Sequence, residues 1–395
     1  MPTALRCALS WPGRRIDRVA PRTLAYVTPE VLIWARESAG YSVEDAAAAV
    51  NLSWSELEMV EGGHNLLTLR QAERLAKLYG RPFATFFLAA PPAEEPQETQ
   101  FRRLPGAPAP PWPAEMRLLA RRIRERQDAA IELYAALDEA PPWIANARSF
   151  VADDRTALPP LAREVLGIGR DEQASWSDKY APLRAWTDAI EAQGVLVMQD
   201  GSMAVDEMRG FASIDSGAPV VVANTKDDPR ARAFTVIHEF GHLVLVVNGI
   251  PLDRHTERWC NEFAGEVLMP PDWLAQAFRE SAAPSLLGRI EQVARTFSVT
   301  PLAAAVRVRA SGLVAESDGD DVINEIRSRA WEPPPARRGG DYYLNQIAGL
   351  GPRFIQLVFS ALDGQAVTYP VASTLLAGVR VNHFERLRDE LAHRI

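Results

Sequence analysis

The spacing of apolar positions divides the chain. From about Thr28 to Leu88 the spacing is helical, and the segment ends in the proline-rich stretch AAPPAEEPQ. A second proline cluster, LPGAPAPPWP at 104–113, makes the stretch between them a linker. AEMRLLARRIRERQDAAIELYAALDEA then reads as one amphipathic helix, broken by PPW at 141–143. The region after it is of mixed character. Within it, GVLVMQD at 194–200 and APVVVAN at 218–224 are short β-branched runs bounded by glycine, proline or aspartate, and they predict strands. Further helices run to about Val314. AESDGDD at 315–321 is acidic and turn-rich, WEPPPARRGG at 331–340 breaks the chain again, and a mainly helical segment closes it.

One apolar run does not fit a simple core helix. FTVIHEFGHLVLVV, residues 234–247, places His238, Glu239 and His242 among residues that a fold buries. On a helix the two histidines stand about 40° apart, so both rings can reach one point, and a metal ion at that point would satisfy both. Glu239, turned away by about 100°, can stand beside an open coordination position as a general base. Gly241 removes a side chain where a strand or a substrate can approach closely. Without partners, burial of these groups would cost several kcal/mol.

Zinc held by two histidines needs at least one more protein ligand, and ERWCNEFAGEVLMP at 257–270 supplies candidates. On a helix there, Glu257 lies about 70° from the centre of the apolar face, Glu266 about 110° and Glu262 about 150°. Glu257 is best placed to turn inward, with His255 as a competitor, and Glu262 faces solvent. Asn261, one turn after Glu257, can hydrogen-bond a ligating histidine.

Composition narrows the classes. The chain has 395 residues, 47% hydrophobic and 24% charged, enough for two or three globular domains. Its net charge of −8 gives no general affinity for nucleic acid. Cys7 and Cys260 are the only two cysteines and form no CxxC pair, which points away from a disulfide framework or a cysteine zinc site and toward a reducing cytoplasm. No apolar run reaches the roughly 18 residues of a membrane span. The first residues carry Arg6, Arg14, Arg15, Arg18 and Arg22 without a secretory apolar core, as in a loose basic arm or a misassigned start.

RAFTVIHEFGHLVL followed by ERWCNEFAGEVLMP resembles the ImmA/IrrE-type metallopeptidases of bacteria and phages, and GVLVMQD, RGFAS and APVVVAN are similar to the strands that precede their zinc helix. The resemblance implies Zn2+ held by His238, His242 and Glu257, with Glu239 as the catalytic glutamate. It also implies a substrate class, repressor proteins with helix-turn-helix domains, whose cleavage switches on stress or mobile-element genes. TPEVLIWARESAGYSVEDAAAAVNLSWSELEMVEGG, continued by TLRQAERLAKLYGRPFATFFL, resembles the phage-repressor-like (XRE-type) helix-turn-helix domain fused to such peptidases. Its third helix, SWSELEMVE, carries Glu56, Glu58 and Glu61 and no base, and residues 29–82 hold five arginines or lysines against eight acids. Such a face repels phosphate, so DNA binding through residues 1–95 is doubtful and a basic protein surface suits it better. Basic charge elsewhere, in the arm or in RLLARRIRER at 117–126, leaves DNA open.

The expected architecture is multidomain and mainly α with an α+β part. It comprises a basic arm (1–24), an all-α helix-turn-helix domain (25–95), a proline-rich linker and amphipathic helix (96–145), an α+β HExxH, gluzincin-like metallopeptidase domain (146–315) and a mainly helical C-terminal domain (316–395). The closing segment also resembles that of the fused subfamily, and its Tyr343 and Arg353 receive no role. Two functions remain: a zinc endopeptidase acting on a repressor in the cytoplasm, and a DNA-binding regulator whose peptidase-like domain senses a ligand. An intact Glu239 favours the enzyme, because a structural zinc site has no use for a base beside it.

Overall fold

The computed structural model describes residues 23–93, 112–214, 217–253, 255–329 and 341–393. Nearly all of the expected basic arm, most of the proline cluster at 104–113 and the break at 331–340 lie outside the described residues. The chain divides into two compact units, Met1–Glu94 and Glu95–Ile395.

The first unit is helical apart from one two-residue pairing. Helices α1 (Pro29–Ser38), α2 (Val43–Ala49), α3 (Trp54–Glu61) and α4 (Leu69–Leu78) surround a core of Leu32, Ala35, Ala47, Leu57, Leu75 and Phe86. Strand β1 (Leu24–Ala25) pairs antiparallel with β2 (Leu67–Thr68). Helix starts are marked in the sequence: Ser42 caps α2, and Ser53 with Glu56 and Thr68 with Gln71 form capping boxes on α3 and α4. Asn51, in the left-handed region at φ 58°, turns the chain between α2 and α3.

The acidic surface expected of α3 is smaller than its sequence suggests. Glu61 does not face solvent: its carboxylate accepts both Nε (2.8 Å) and a terminal nitrogen (3.0 Å) of Arg36. Glu56 is folded back onto Ser53. What α3 exposes is Glu56 and Glu58 together with Trp54 and Met59, which are 56% and 47% exposed. Bases gather instead on α4, where Arg70, Arg74 and Lys77 share one exposed face.

The second unit is built on a three-stranded sheet of order β3-β5-β4. Strand β3 (Leu196–Asp200) runs parallel to β5 (Val220–Asn224), and β4 (Gly210–Ser213) runs antiparallel to it, with Met198 opposite Val222 and Phe211 opposite the same residue. Both faces are covered, which explains the uninterrupted apolar runs of β3 and β5. Val197, Ala212, Val221 and Ala223 face one core, while Leu196, Met198, Phe211, Val220 and Val222 face another.

The second core is completed by α5 (Ala114–Ala136), the single long helix expected there, and by four closing helices. After α5 come α6 (Trp143–Asn146), α7 (Leu158–Leu166), α8 (Arg170–Ser175) and α9 (Ala181–Ala192), a helical stretch that the sequence left without assignment. The first core holds α7, α9 and six further helices after the sheet: α10 (Pro229–Val247), α11 (Thr256–Leu268), α12 (Pro271–Glu280), α13 (Leu286–Thr296), α14 (Pro301–Ala310) and α15 (Glu316–Ser328). The closing helices are α16 (Tyr342–Leu350), α17 (Pro352–Asp363), α18 (Tyr369–Leu375) and α19 (Phe384–Ala392). Segments expected as linker helix, peptidase domain and C-terminal domain therefore lie in one unit. Residues 316–395 do not share one core, since Val322 and Ile323 of α15 belong with the first and Phe354 and Leu387 with the second.

The acidic stretch read as a turn begins α15. Glu316 and Asp318 occupy its first turn, where the helix dipole favours negative charge. Gly319 leaves room for Arg309, whose Cγ would lie 2.8 Å from an added Cβ, and Arg309 pairs with Glu316 and Asp320, each at 2.7 Å. No helix among the described residues is long and apolar enough to cross a membrane.

Candidate metal and catalytic centre

Helix α10 starts at Asp228, whose side chain accepts from Arg230 N–H, with Pro229 in the first turn. Its apolar residues point in several directions because it packs on the sheet, on α9 and on α11, and Phe240 meets Trp143 and Phe150 edge-on. One strip of its surface carries His238 and His242, whose ring centroids lie 5.2 Å apart.

Gly241 sets how close α11 can come. A Cβ there would lie 2.9 Å from Phe263 Cδ1 and 3.5 Å from Cys260 Sγ, so the neighbour that needs the missing side chain is a helix, not a strand or a substrate. This approach brings the first turn of α11 over the histidines. Glu257 Oε2 lies 3.2 Å from His238 Nε2, and Glu257 Oε1 lies 3.4 Å from His242 Nε2. One ligand atom from each of the three residues falls within 4.8 Å of the others, a group that could hold a metal ion. Asn261 Oδ1 stands 3.1 Å from His238 Nδ1. An acceptor at that nitrogen selects the tautomer with Nε2 free to bind a metal.

The other candidates lie elsewhere. Glu262 is exposed and pairs with Arg258 at 2.9 Å, while Glu266 pairs with Arg307 at 3.2 Å. His255 precedes α11 as its cap residue, exposed, its N–H bonded to Asp253.

Burial shapes the electrostatics. His242 is fully buried, neither ring nitrogen has a hydrogen-bond partner, and burial followed by repulsion from His238 pushes its pKa down to about 4 despite Glu257. It is therefore a neutral imidazole near pH 7, the form that binds metal. Glu239 is 3% exposed with Oε2 unpartnered, and burial, then the charge of Glu257, holds its carboxyl well above the usual range. Cys260 is buried beside the centre, and burial above all pushes its thiol up, so it stays protonated and unreactive. Orphaned buried nitrogens next to a carboxylate fit a divalent ion with nitrogen and oxygen preferences.

Two positions were not singled out from the sequence. Gly210, the first residue of β4, has no room for a side chain: a Cβ would overlap Thr235 Cγ2, lie 2.6 Å from Val222 O and press on Glu239 Cγ at 3.3 Å. A glycine opening a strand is the available signal, since it marks close approach of another group. Thr235, one turn before Glu239, lines the centre with it. Both belong to a groove of about 1220 Å³ that contains His238, Glu239, Glu257 and Asn261 and continues past α14 and α15.

One helix thus carries two histidines and a buried glutamate with one unpartnered oxygen, and the next helix adds a carboxylate to a group that could hold a metal ion. Residues 190–309 match the peptidase M78 family model, described as an IrrE N-terminal-like domain, which supports an ImmA/IrrE-type peptidase. That match begins at the end of α9 and ends within α14, a narrower span than 146–315. No curated protein and no solved structure matches the chain.

Proposed function

We propose that the protein is a zinc-dependent endopeptidase that cuts a helix-turn-helix transcriptional repressor in the cytoplasm and so releases the genes it silences. The observation that carries this reading is Glu239, a buried carboxyl without a partner on one oxygen, set beside the donor atoms of His238, His242 and Glu257. A buried carboxyl that only supports the fold usually has both oxygens engaged, whereas unpartnered, perturbed ones gather at functional sites.

His238, His242 and Glu257 would hold the metal, and Asn261 would fix the ring of His238 through Nδ1. Bound zinc supplies a Lewis acid that polarises the scissile carbonyl and makes water more acidic. Glu239 takes a proton from water as the oxygen bonds to the carbonyl carbon, and returns it to the departing amine nitrogen as the C–N bond breaks. The groove beside Glu239 is where the polypeptide to be cut would lie.

Helices α2 and α3 with the turn at Asn51 support the repressor as substrate, because a domain of this kind can dock on a like domain. Docking would raise the local concentration of the scissile segment to about the millimolar range. Repressors of neighbouring genes, incubated with zinc-loaded protein, should be cut by the parent chain and left intact after Glu239→Gln or chelation. Deleting residues 1–94 should weaken cleavage mainly through substrate affinity. Operator DNA binding by the intact chain, lost steeply with salt and without cleavage of any repressor, would replace this reading with the regulator.

A further inference from the structure

Helix α14 breaks the usual rule for a surface helix. Its buried side is Ala304, Ala305 and Val308. Its opposite side, which a soluble helix normally makes polar, carries Leu302, Ala303, Val306 and Ala310, and these line the same groove as the metal centre. Val306 is 45% exposed there, and Ile323 of α15 adds to the wall. The charged residues of this end are largely engaged with one another, Arg307 with Glu266 and Arg309 with Glu316 and Asp320. The wall therefore offers a passing chain apolar contact centred on exposed Val306, with exposed Arg327 also lining the groove and Ile323 reaching it from the first core.

Its distance from the chemistry follows from α11, which runs along the groove. Glu257, Asn261 and Gly265 line it in succession, and Gly265 marks where α14 meets α11, since a Cβ there would lie 3.3 Å from Arg307 Cδ. From Glu257 to Gly265 is about 12 Å at 1.5 Å per helical residue. An extended polypeptide crosses that distance in about three to four residues.

We propose that Leu302, Ala303, Val306 and Ile323 form a specificity subsite that takes an aliphatic or aromatic side chain of the substrate, three or four residues from the bond that is cut. The proposal rests on the peptidase reading for its occupant, because a groove continuous with the metal centre is filled by the chain being cut. It adds a sequence requirement that the metal centre alone does not impose.

The test uses the full zinc-loaded chain and a degenerate library of short unstructured peptides, with cut sites read by mass spectrometry and binding measured separately on the Glu239→Gln protein. The parent should enrich Leu, Ile, Val or Phe at one position three or four residues from the cut. Val306→Glu, at an exposed position, should keep zinc content and melting temperature while losing that enrichment, with kcat/KM for the best peptide falling about tenfold or more. Val306→Leu should retain the preference. An unchanged library profile for Val306→Glu, or no apolar position in the parent's profile, overturns the subsite. Selective capture of apolar peptides by the Glu239→Gln protein, with no cleavage by the parent, upholds the subsite and overturns the peptidase reading. Failure to capture or cut any peptide overturns both.

Discussion

Two buried glutamates show how differently one unit treats the same chemical group. Glu191, 5% exposed at the end of α9, has each carboxylate oxygen engaged: one accepts Val197 N–H at 3.2 Å, the other Arg353 N–H at 3.1 Å in the first turn of α17. It joins a helix of the first core to the sheet and to a helix of the second, and the N-terminal dipole of α17 favours its charge. Gly351 makes the joint possible, with φ 84° and no Cβ to strike Val197 O at 2.8 Å. Glu239 is as buried and leaves Oε2 without a partner. The first site gains stability from its carboxylate. The second gives stability up, and a fold retains such a cost where the group has work to do.

Substitution should separate the two. Glu239→Gln should reduce cleavage on the order of 10²- to 10⁴-fold, because the amide cannot accept the proton of water, while zinc content stays at the parental level. The same change should leave the urea midpoint of the metal-free protein unchanged or raised, since no hydrogen bond to Oε2 is lost. Glu191→Ala should do the reverse, costing about 2–3 kcal/mol in urea unfolding by stranding two buried N–H groups, with the metal affinity of the folded protein preserved. Equal stability losses at both positions would erase the contrast.

Smaller effects sharpen it. Gly241→Ala should cost about 1–3 kcal/mol by overpacking against Phe263, and should also weaken zinc binding, because α11 carries Glu257 and would be pushed from α10. Normal zinc affinity in that variant, measured by competition with a chromophoric chelator, would uncouple the packing from the centre. Asn261→Ala should lower zinc affinity by about ten- to a hundredfold without unfolding the chain, as expected for loss of the group that orients His238. Unaltered affinity would remove Asn261 from the account.

The centre is more legible in the sequence than the scaffold that assembles it. The spacing of His238 and His242 is a property of one helix, and the angle of Glu257 is a property of another, so each can be read locally, and the three side chains do meet. Strands β3 and β5 are legible for the same reason, from β-branched runs closed by turn residues, whereas β4 is carried only by the family resemblance of RGFAS. What depends on a partner is not. Gly241 reads as an open surface because Phe263 is 22 positions away in the chain, and Glu61 reads as an exposed acid because its partner Arg36 lies two helices earlier. Glycine and aspartates in the acidic stretch read as a turn, although the dipole of α15 and contact with Arg309 make them its first turns. Helices α7 to α9 are short, and their faces show periodicity only once the core they cover is known.

Zinc K-edge X-ray absorption of the zinc-loaded full chain tests the central claim most directly. One tightly held zinc should show a first shell of nitrogen and oxygen at about 2.0–2.2 Å, two imidazole signatures that fall to one after His242→Ala, and no sulfur. A scatterer at about 2.3 Å, the Zn–S distance, would place Cys260 in the centre, and two imidazoles persisting after His242→Ala would place the metal elsewhere. Either result would contradict the claim that His238, His242 and Glu257 hold the metal for Glu239.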